Sequence, residues 1–141
     1  MASPSQNRQN VALLVDDETS VREFAATVMQ QAGFLTLSAC SATEALTLSR
    51  TLPERIDVLV TDFQLGDSDG VELAAQIRQD RRDVAVIVMS GTPDSAERAN
   101  AAGYPFLAKP FRPVQLVDAI RRLLPAALPA AAVATSQNPK R

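Results

Sequence analysis

The feature that most constrains the fold of this chain is a series of five short, mainly apolar runs that alternate with segments of helical periodicity. The runs are VALLV (11–15), FLTLS (34–38), IDVLVT (56–61), VAVIVMS (84–90) and PFLA (105–108). Short apolar runs bounded by turn signals are typical of buried strands. The fourth run has no charge on either face, which favours a strand covered by helices on both sides of a parallel sheet.

Segments with helical periodicity follow the five runs. Their apolar positions fall within 21–32, 42–52, 73–77, 94–102 and 113–124. Apolar residues spaced by three and four positions predict amphipathic helices. We predict that Thr19 or Ser20 caps the first helix and that it ends before Gly33. Pro113 suits the first position of the last helix, because proline has no N–H to leave unpaired there.

Five strands that alternate with five helices define a (βα)₅ chain, and hence an α/β fold. Right-handed crossovers leave few topologies for such a chain. The sequence therefore predicts a doubly wound, flavodoxin-like fold with a parallel five-stranded sheet in the order 2-1-3-4-5. In that order strand 1 lies beside strand 3, and ligands bind where these strands end.

Chemically capable side chains stand at the carboxyl ends of the predicted strands. Asp16 and Asp17 follow strand 1, Asp62 ends strand 3, Ser90 ends strand 4 and Lys109 follows strand 5. Because parallel strands end at one edge of their sheet, we expect these side chains to lie close together. Close carboxylates repel one another unless a cation or a raised pKa relieves the repulsion.

These residue types point to phosphoryl chemistry. Oxygen ligands without histidine or cysteine favour a hard divalent cation, and Mg²⁺ suits a site with few carboxylates. A carboxylate beside Mg²⁺ and a lysine is a nucleophile of the aspartyl-phosphate type. The hydroxyl of Ser90 and the backbone N–H of Gly91 can donate to phosphoryl oxygens. Each residue also has an ordinary interpretation, as a helix cap, a turn residue or a solvated charge, but their joint occurrence at one edge favours a site.

Composition excludes several other classes of protein. The chain contains no histidine, a single cysteine (Cys40) and a net charge of −2, which argue against a histidine-based enzyme, an internal disulfide and nucleic-acid binding. No apolar run is long enough to cross a membrane, and the first ten residues contain no hydrophobic signal core. We therefore expect a cytoplasmic protein.

Four motifs resemble those of the receiver domain of two-component response regulators, the CheY-like family. They are LLVDDE at strand 1, LVTDFQLGDSDG around strand 3, IVMSG at strand 4 and FLAKPF at strand 5. The resemblance covers about residues 11–124. It implies a switch that takes a phosphoryl group from a sensor histidine kinase or histidine phosphotransferase, with Mg²⁺ as cofactor.

The resemblance also implies a role for each acidic residue of the site. Asp62 matches the phosphoacceptor, Asp17 the direct Mg²⁺ ligand, and Asp16 the acid that binds the ion mainly through water. The backbone carbonyl of Gln64 matches the remaining protein ligand.

Other positions match the family's signalling residues. Ser90 matches the hydroxyl residue that closes on the phosphoryl group, and Lys109 the lysine that pairs with it. Phe106 occupies the position of the family's switching aromatic, and core packing is its alternative role. Gln64 and Thr92 are expected to tune the lifetime of the phosphoryl group.

Two departures from the family pattern stand out. Leu65-Gly66 replaces the usual Met-Pro, and glycine is expected to loosen that loop. The stretch from Ser90 to Lys109 is a few residues short, so the fourth helix and its following loop should be short. These features, with the Ser-Gly ending of strand 4, resemble receivers attached to hybrid sensor kinases.

Three functional classes remain open from the sequence. The preferred one is a phosphorylatable switch, not an enzyme. We expect no output domain after the last helix, so its output should pass through contacts with a downstream protein target. It can act as a stand-alone regulator, a phosphate sink, a relay or a kinase regulator, either as a monomer or as a phosphorylation-dependent dimer. The alternatives are an aspartate-nucleophile phosphatase and an interaction module with an unused pocket. Residues 1–10 and 125–141 are expected to be flexible flanks.

Overall fold

Five parallel strands form a single sheet in the order β2-β1-β3-β4-β5 in the computed structural model, which describes residues 9–124. The strands are β1 (Val11–Val15), β2 (Leu35–Ala39), β3 (Val58–Asp62), β4 (Ala85–Ser90) and β5 (Phe106–Ala108). The helices are α1 (Thr19–Gln31), α2 (Ala42–Thr51), α3 (Gly70–Asp80), α4 (Pro93–Ala101) and α5 (Pro113–Leu123). The predicted (βα)₅ fold and its strand order are confirmed.

Apolar side chains on both faces of the central strands hold the layers together. Successive side chains of a strand point to opposite faces, so each central strand contributes to two cores. Leu13 and Leu59 belong to one buried cluster with α2 and α3, whereas Leu14 and Val60 belong to the other with α1 and α5. All residues of β1 and β3 are buried. This explains why these strands read as continuous apolar runs in the sequence.

The start of α1 differs from the prediction that Thr19 or Ser20 caps it. The N-cap is Glu18, whose side chain makes no capping hydrogen bond, and Thr19 is already the first helical residue. Asp16 accepts the Glu18 backbone N–H at 2.8 Å, and this bond turns the chain into the helix earlier than the hydroxyls suggested. The predicted end is confirmed, because Gly33 follows the helix with a φ of 99°.

Other boundaries move by one or two residues. The backbone N–H of Phe34 donates to the Met29 carbonyl of α1 at 3.0 Å. Phe34 therefore stays outside the sheet, and β2 begins at Leu35. The fourth helix is short, as predicted, with nine residues, and it begins at Pro93 after the capping residue Thr92. Pro113 is the first residue of α5, as predicted.

The predicted flanks lie almost wholly outside the described residues, which include neither 1–8 nor 125–141. Of the N-terminal flank only Gln9 and Asn10 are described, and the Asn10 carbonyl accepts the Leu35 N–H at 2.8 Å. Within residues 9–124, none of the helices combines the length and the apolar character needed to cross a bilayer.

Candidate functional site

The carboxyl edge of the sheet brings the predicted polar residues to neighbouring positions. β1 pairs with β3, and β3 pairs with β4 through Asp62 and Met89. The ladder between β4 and β5 continues one step past β5, because the Lys109 N–H donates to the Ser90 carbonyl at 2.9 Å. Hydrogen bonds of the sheet therefore set the backbone positions of the acidic, hydroxyl and basic residues at this edge.

Three carboxylates meet at the ends of β1 and β3. Asp16, Asp17 and Asp62 each offer an oxygen atom, and these atoms lie within 4.8 Å of one another. Asp16 is fully buried and Asp62 is 8% exposed, whereas Asp17 is open to solvent. The predicted gathering of carboxylates at this edge is thus seen in the structure.

Lys109 is the cation of this cluster. Its Nζ lies 2.9 Å from Asp16 Oδ2 and 3.2 Å from Asp62 Oδ1. Burial lowers the pKa of Lys109, but the hydrogen bond to Asp16 and the charges of Asp62 and Asp16 outweigh it and raise the pKa above its ordinary value. Lys109 is therefore an ammonium ion at neutral pH. The sequence predicted its approach to Asp62 but did not indicate the shorter contact with Asp16.

The cluster carries more negative than positive charge, which suits the binding of a metal ion. Burial of the carboxyl group and the neighbouring charge of Asp16 raise the pKa of Asp62, although Lys109 acts in the opposite direction. Asp16 Oδ2 is buried, and Lys109 Nζ lies against it at 2.9 Å. One ammonium faces three carboxylates. An all-oxygen set with spare negative charge can hold a hard divalent cation.

The hydroxyl group of Ser90 lies at the start of α4. Ser90 is 5% exposed, and its Oγ accepts the Thr92 N–H at 3.2 Å. Thr92 caps α4 by accepting the Ser95 N–H at 3.4 Å. Ser90 is therefore hydrogen-bonded to the N-cap residue of α4. Gly91 lies between them, exposed to solvent.

Gln64 and Phe106 are the other predicted site residues, one in the loop after β3 and the other in β5. Gln64 is exposed in the loop between β3 and α3, where it forms an isolated bridge with Asp69. Phe106 pairs with Val88 at the edge of the sheet and packs, half-buried, against the core cluster that contains Val88. Partial burial of Phe106 is compatible with both core packing and a switching role.

One contact near the site was not predicted. Phe63, directly after Asp62, has the guanidinium carbon of Arg98 5.3 Å from its ring centre. Arg98 also lies 3.3 Å from an oxygen of Asp69, the residue that caps α3. Arg98 belongs to α4, so these contacts tie α4 to the loop after Asp62. A pairing between residues so far apart in sequence leaves no local pattern.

A comparison with protein-family models identifies the family of the chain. The model of the response regulator receiver domain matches residues 12–121, which include every site residue above. The chain belongs to this receiver domain family. The resemblance that the four motifs suggested is thereby confirmed, and the protein is a receiver domain of the two-component signalling type.

Individual relatives of this receiver domain include a kinase and solved receiver structures. The sensor kinase CckA of Brucella abortus is 32% identical over 115 residues, which are 79% of this chain and 12% of the kinase. The structure of the chemotaxis response regulator CheY4 of Vibrio cholerae is similar with a TM-score of 0.74 and 25% identity, covering 83% of this chain and 100% of that one. The receiver domain of the hybrid histidine kinase CckA has a TM-score of 0.70 and 27% identity, covering 82% and 99%. The chain thus spans about one eighth of the Brucella kinase.

Proposed function

We propose that this receiver domain accepts a phosphoryl group on Asp62 from a phosphohistidine of a sensor histidine kinase or a histidine phosphotransferase. The observation that carries the proposal is the meeting of Asp62 with two further carboxylates and the Lys109 ammonium. The 141 residues contain no histidine, so the donor imidazole lies outside them.

Phosphoryl transfer needs a nucleophile and positive charge around the transferred group. A carboxylate oxygen of Asp62 forms a bond to phosphorus while the bond between phosphorus and the donor imidazole breaks, and its electron pair stays with the imidazole. Asp16, Asp17, Asp62 and the backbone carbonyl of Gln64 would hold Mg²⁺, which supplies charge neutralisation at the phosphoryl oxygens. Lys109 supplies a second positive charge, already 3.2 Å from an oxygen of Asp62.

The surface beside Lys109 gives a protein donor room to approach. A cavity of about 390 Å³ opens there, and its lining includes Lys109, Phe111 and the exposed ring of Phe24. Partly apolar surface next to a charged site suits a protein partner better than a small polar donor. A net charge of −2 gives no reason to expect nucleic acid as a partner.

The phosphoryl group would act as a signal rather than as a reaction product. Ser90 would turn towards the phosphoryl group and shift Thr92, the cap of α4, through their hydrogen bond. Phe106 would repack at the edge of the sheet. Gly91 would offer its N–H to the phosphoryl oxygens, and Gln64 and Thr92 would tune the lifetime of the group. We further propose a switch limited to its own phosphorylation and dephosphorylation, with output through protein contacts.

Incubation with acetyl phosphate and Mg²⁺ tests the proposal directly. We expect intact-protein mass spectrometry to show the gain of a single phosphoryl group, and peptide mapping to place it on Asp62. Addition of EDTA before acetyl phosphate is expected to prevent the gain, because the carboxylates then lack the cation that offsets their repulsion. A label on another residue, or full labelling in EDTA, would contradict the proposal.

A second prediction concerns the coupling between phosphorylation and α4. Lys109→Arg keeps the positive charge, but a broad planar guanidinium cannot occupy the place of a compact ammonium between Asp16 and Asp62. We expect the variant to take up the phosphoryl group but to show much smaller phosphorylation-dependent changes in the NMR amide signals of α4 and β5. The matched control is Arg122→Lys, which replaces one basic residue with another at an exposed position of α5. Wild-type signal changes in Lys109→Arg would remove the role given to Lys109.

A further inference from the structure

The loop between β3 and α3 is better fixed than its glycine suggests. The replacement of the family's Met-Pro by Leu65-Gly66 predicts a loose loop, and Gly66 indeed adopts a φ of 81°. Leu65, however, is 2% exposed and packs into the core, and its N–H donates to the Ser68 carbonyl at 3.1 Å. The Asp67 N–H donates in turn to the Leu65 carbonyl at 2.8 Å.

Asp67 anchors the other side of this loop to α2. One carboxylate oxygen accepts the Ala42 N–H at 3.1 Å, and the other accepts the Thr43 N–H at 3.1 Å and the Thr43 hydroxyl at 2.9 Å. These bonds, those from Thr43 first, lower the pKa of Asp67 below its ordinary value. The carboxylate therefore stays charged at neutral pH, at the end of the helix where a negative charge is favoured.

Ser41 and Asp67 accept hydrogen bonds from different N–H groups in the first turn of α2. Ser41 is the N-cap, and its hydroxyl accepts only the Glu44 N–H, at 3.1 Å. The N–H groups of Ala42 and Thr43 have no carbonyl partner within the helix, because the first turn of a helix leaves its donors unpaired. Asp67 supplies the acceptors that Ser41 does not. The contact thus joins a loop of the site to a helix that carries no site residue.

The anchored loop runs beside the carboxylate cluster. Gly66 lies between the buried Leu65 and the anchored Asp67, and a side chain at Gly66 would begin 4.0 Å from Asp17 Oδ2. Gln64, whose backbone carbonyl is the expected fourth ligand, precedes the same three residues. Without the bonds to α2, the restraints on this stretch would be the burial of Leu65, the backbone bonds within the loop and the bridge between Gln64 and Asp69.

We propose that Asp67 is a positioning residue for the cation site, and this inference rests on the proposed function. Its three bonds to α2 hold the Gln64–Gly66 segment in place against the freedom that Gly66 brings. Groups that orient metal ligands from outside the coordination sphere commonly change metal affinity by about 10- to 100-fold when removed.

The test is a titration of Asp67→Ala with Mg²⁺. Its two readouts are isothermal titration calorimetry and the rise of the unfolding midpoint with Mg²⁺ concentration. We expect the Kd for Mg²⁺ to rise about tenfold. Labelling by acetyl phosphate should slow at limiting Mg²⁺ and recover at saturating Mg²⁺. Thr43→Val, which removes only the hydroxyl bond, is expected to cause a smaller rise in Kd. Asp67→Asn keeps one acceptor oxygen and should fall between Asp67→Ala and the wild type.

Two controls separate positioning from other effects. Ser41→Ala removes the other acceptor at the start of α2, so it weakens the helix without releasing the loop, and it should leave the Kd unchanged. Raised salt would shrink the difference between Asp67→Ala and the wild type if Asp67 acted only through its charge, whereas a positioning effect persists.

The outcomes distinguish the two proposals. A wild-type protein that binds no Mg²⁺ and takes up no phosphoryl group contradicts the proposed function. A wild type that does both, together with an unchanged Kd in Asp67→Ala, overturns the role of Asp67 alone. The role of Asp67 is also overturned if Ser41→Ala raises the Kd for Mg²⁺ as much as Asp67→Ala does. The same holds if the difference in Kd between Asp67→Ala and the wild type disappears at raised salt.

Discussion

Replacing Asp62 with asparagine is expected to abolish phosphoryl uptake from acetyl phosphate in the presence of Mg²⁺. The amide has nearly the shape of the carboxylate but is a far weaker nucleophile, and it removes one of the three charges that favour a cation. Intact-protein mass spectrometry is the measurement. Asp83→Asn, an exposed exchange in the connection before β4, is the matched control and should label fully. Wild-type labelling of Asp62→Asn would show that another residue is the acceptor.

Loss of labelling in Asp62→Asn should not reflect loss of the fold. The pKa of Asp62 is raised by burial and by Asp16, so its charged form is less favourable in the folded than in the unfolded protein. The charge therefore opposes folding most above the folded-state pKa, and this opposition declines as pH falls from the folded-state pKa to the lower unfolded-state pKa. A neutral asparagine is expected to leave the unfolding midpoint at neutral pH unchanged or higher, measured without divalent cations. A marked decrease would contradict this electrostatic account.

Gly70→Ala is expected to destabilise the protein strongly and to disturb the site. Gly70 is the first residue of α3, and its N–H donates to the Phe63 carbonyl at 2.7 Å. A Cβ there would overlap the carbonyl oxygen of Asp62 and lie 3.0 Å from Thr61 Cγ2. Backbone atoms cannot rotate away as a flexible side chain can, so either α3 or the end of β3 must move.

The expected loss of unfolding free energy for Gly70→Ala is about 3 kcal/mol, the upper end of the usual range for overpacking. For a domain of this size that corresponds to a fall of roughly 10 °C in the unfolding midpoint. Gly91→Ala is the matched stability control, since the nearest atom to its Cβ, the Lys109 carbonyl oxygen, would be 3.9 Å away. Equal midpoints for the two variants would show that the approach of α3 to Asp62 is looser than described.

The location of the site was predictable because it depends on where strands end. An apolar run that stops at an acidic residue marks the end of a strand, and a parallel sheet brings such ends to one edge. Asp16, Asp17 and Asp62 could therefore be placed together from the sequence, as the structure places them. The cap of α1 was predicted wrongly, because the bond from the Glu18 N–H to the Asp16 carboxylate is decided by the turn and not by the presence of nearby hydroxyls.

The sequence by itself determined the alternation of strands and helices, the order of the sheet and the residue types at its carboxyl edge. Periodicity and run length are local properties, and the rules for parallel crossovers convert them into a topology. Only the tertiary structure decided the contacts between loops and helices. Lys109 approaches Asp16 more closely than Asp62, Asp67 binds the start of α2, and Gly70 abuts the Asp62 carbonyl. The physical reason is that such contacts depend on how packed layers are oriented and spaced, to within less than the width of an atom, and spacing along the chain carries no such information.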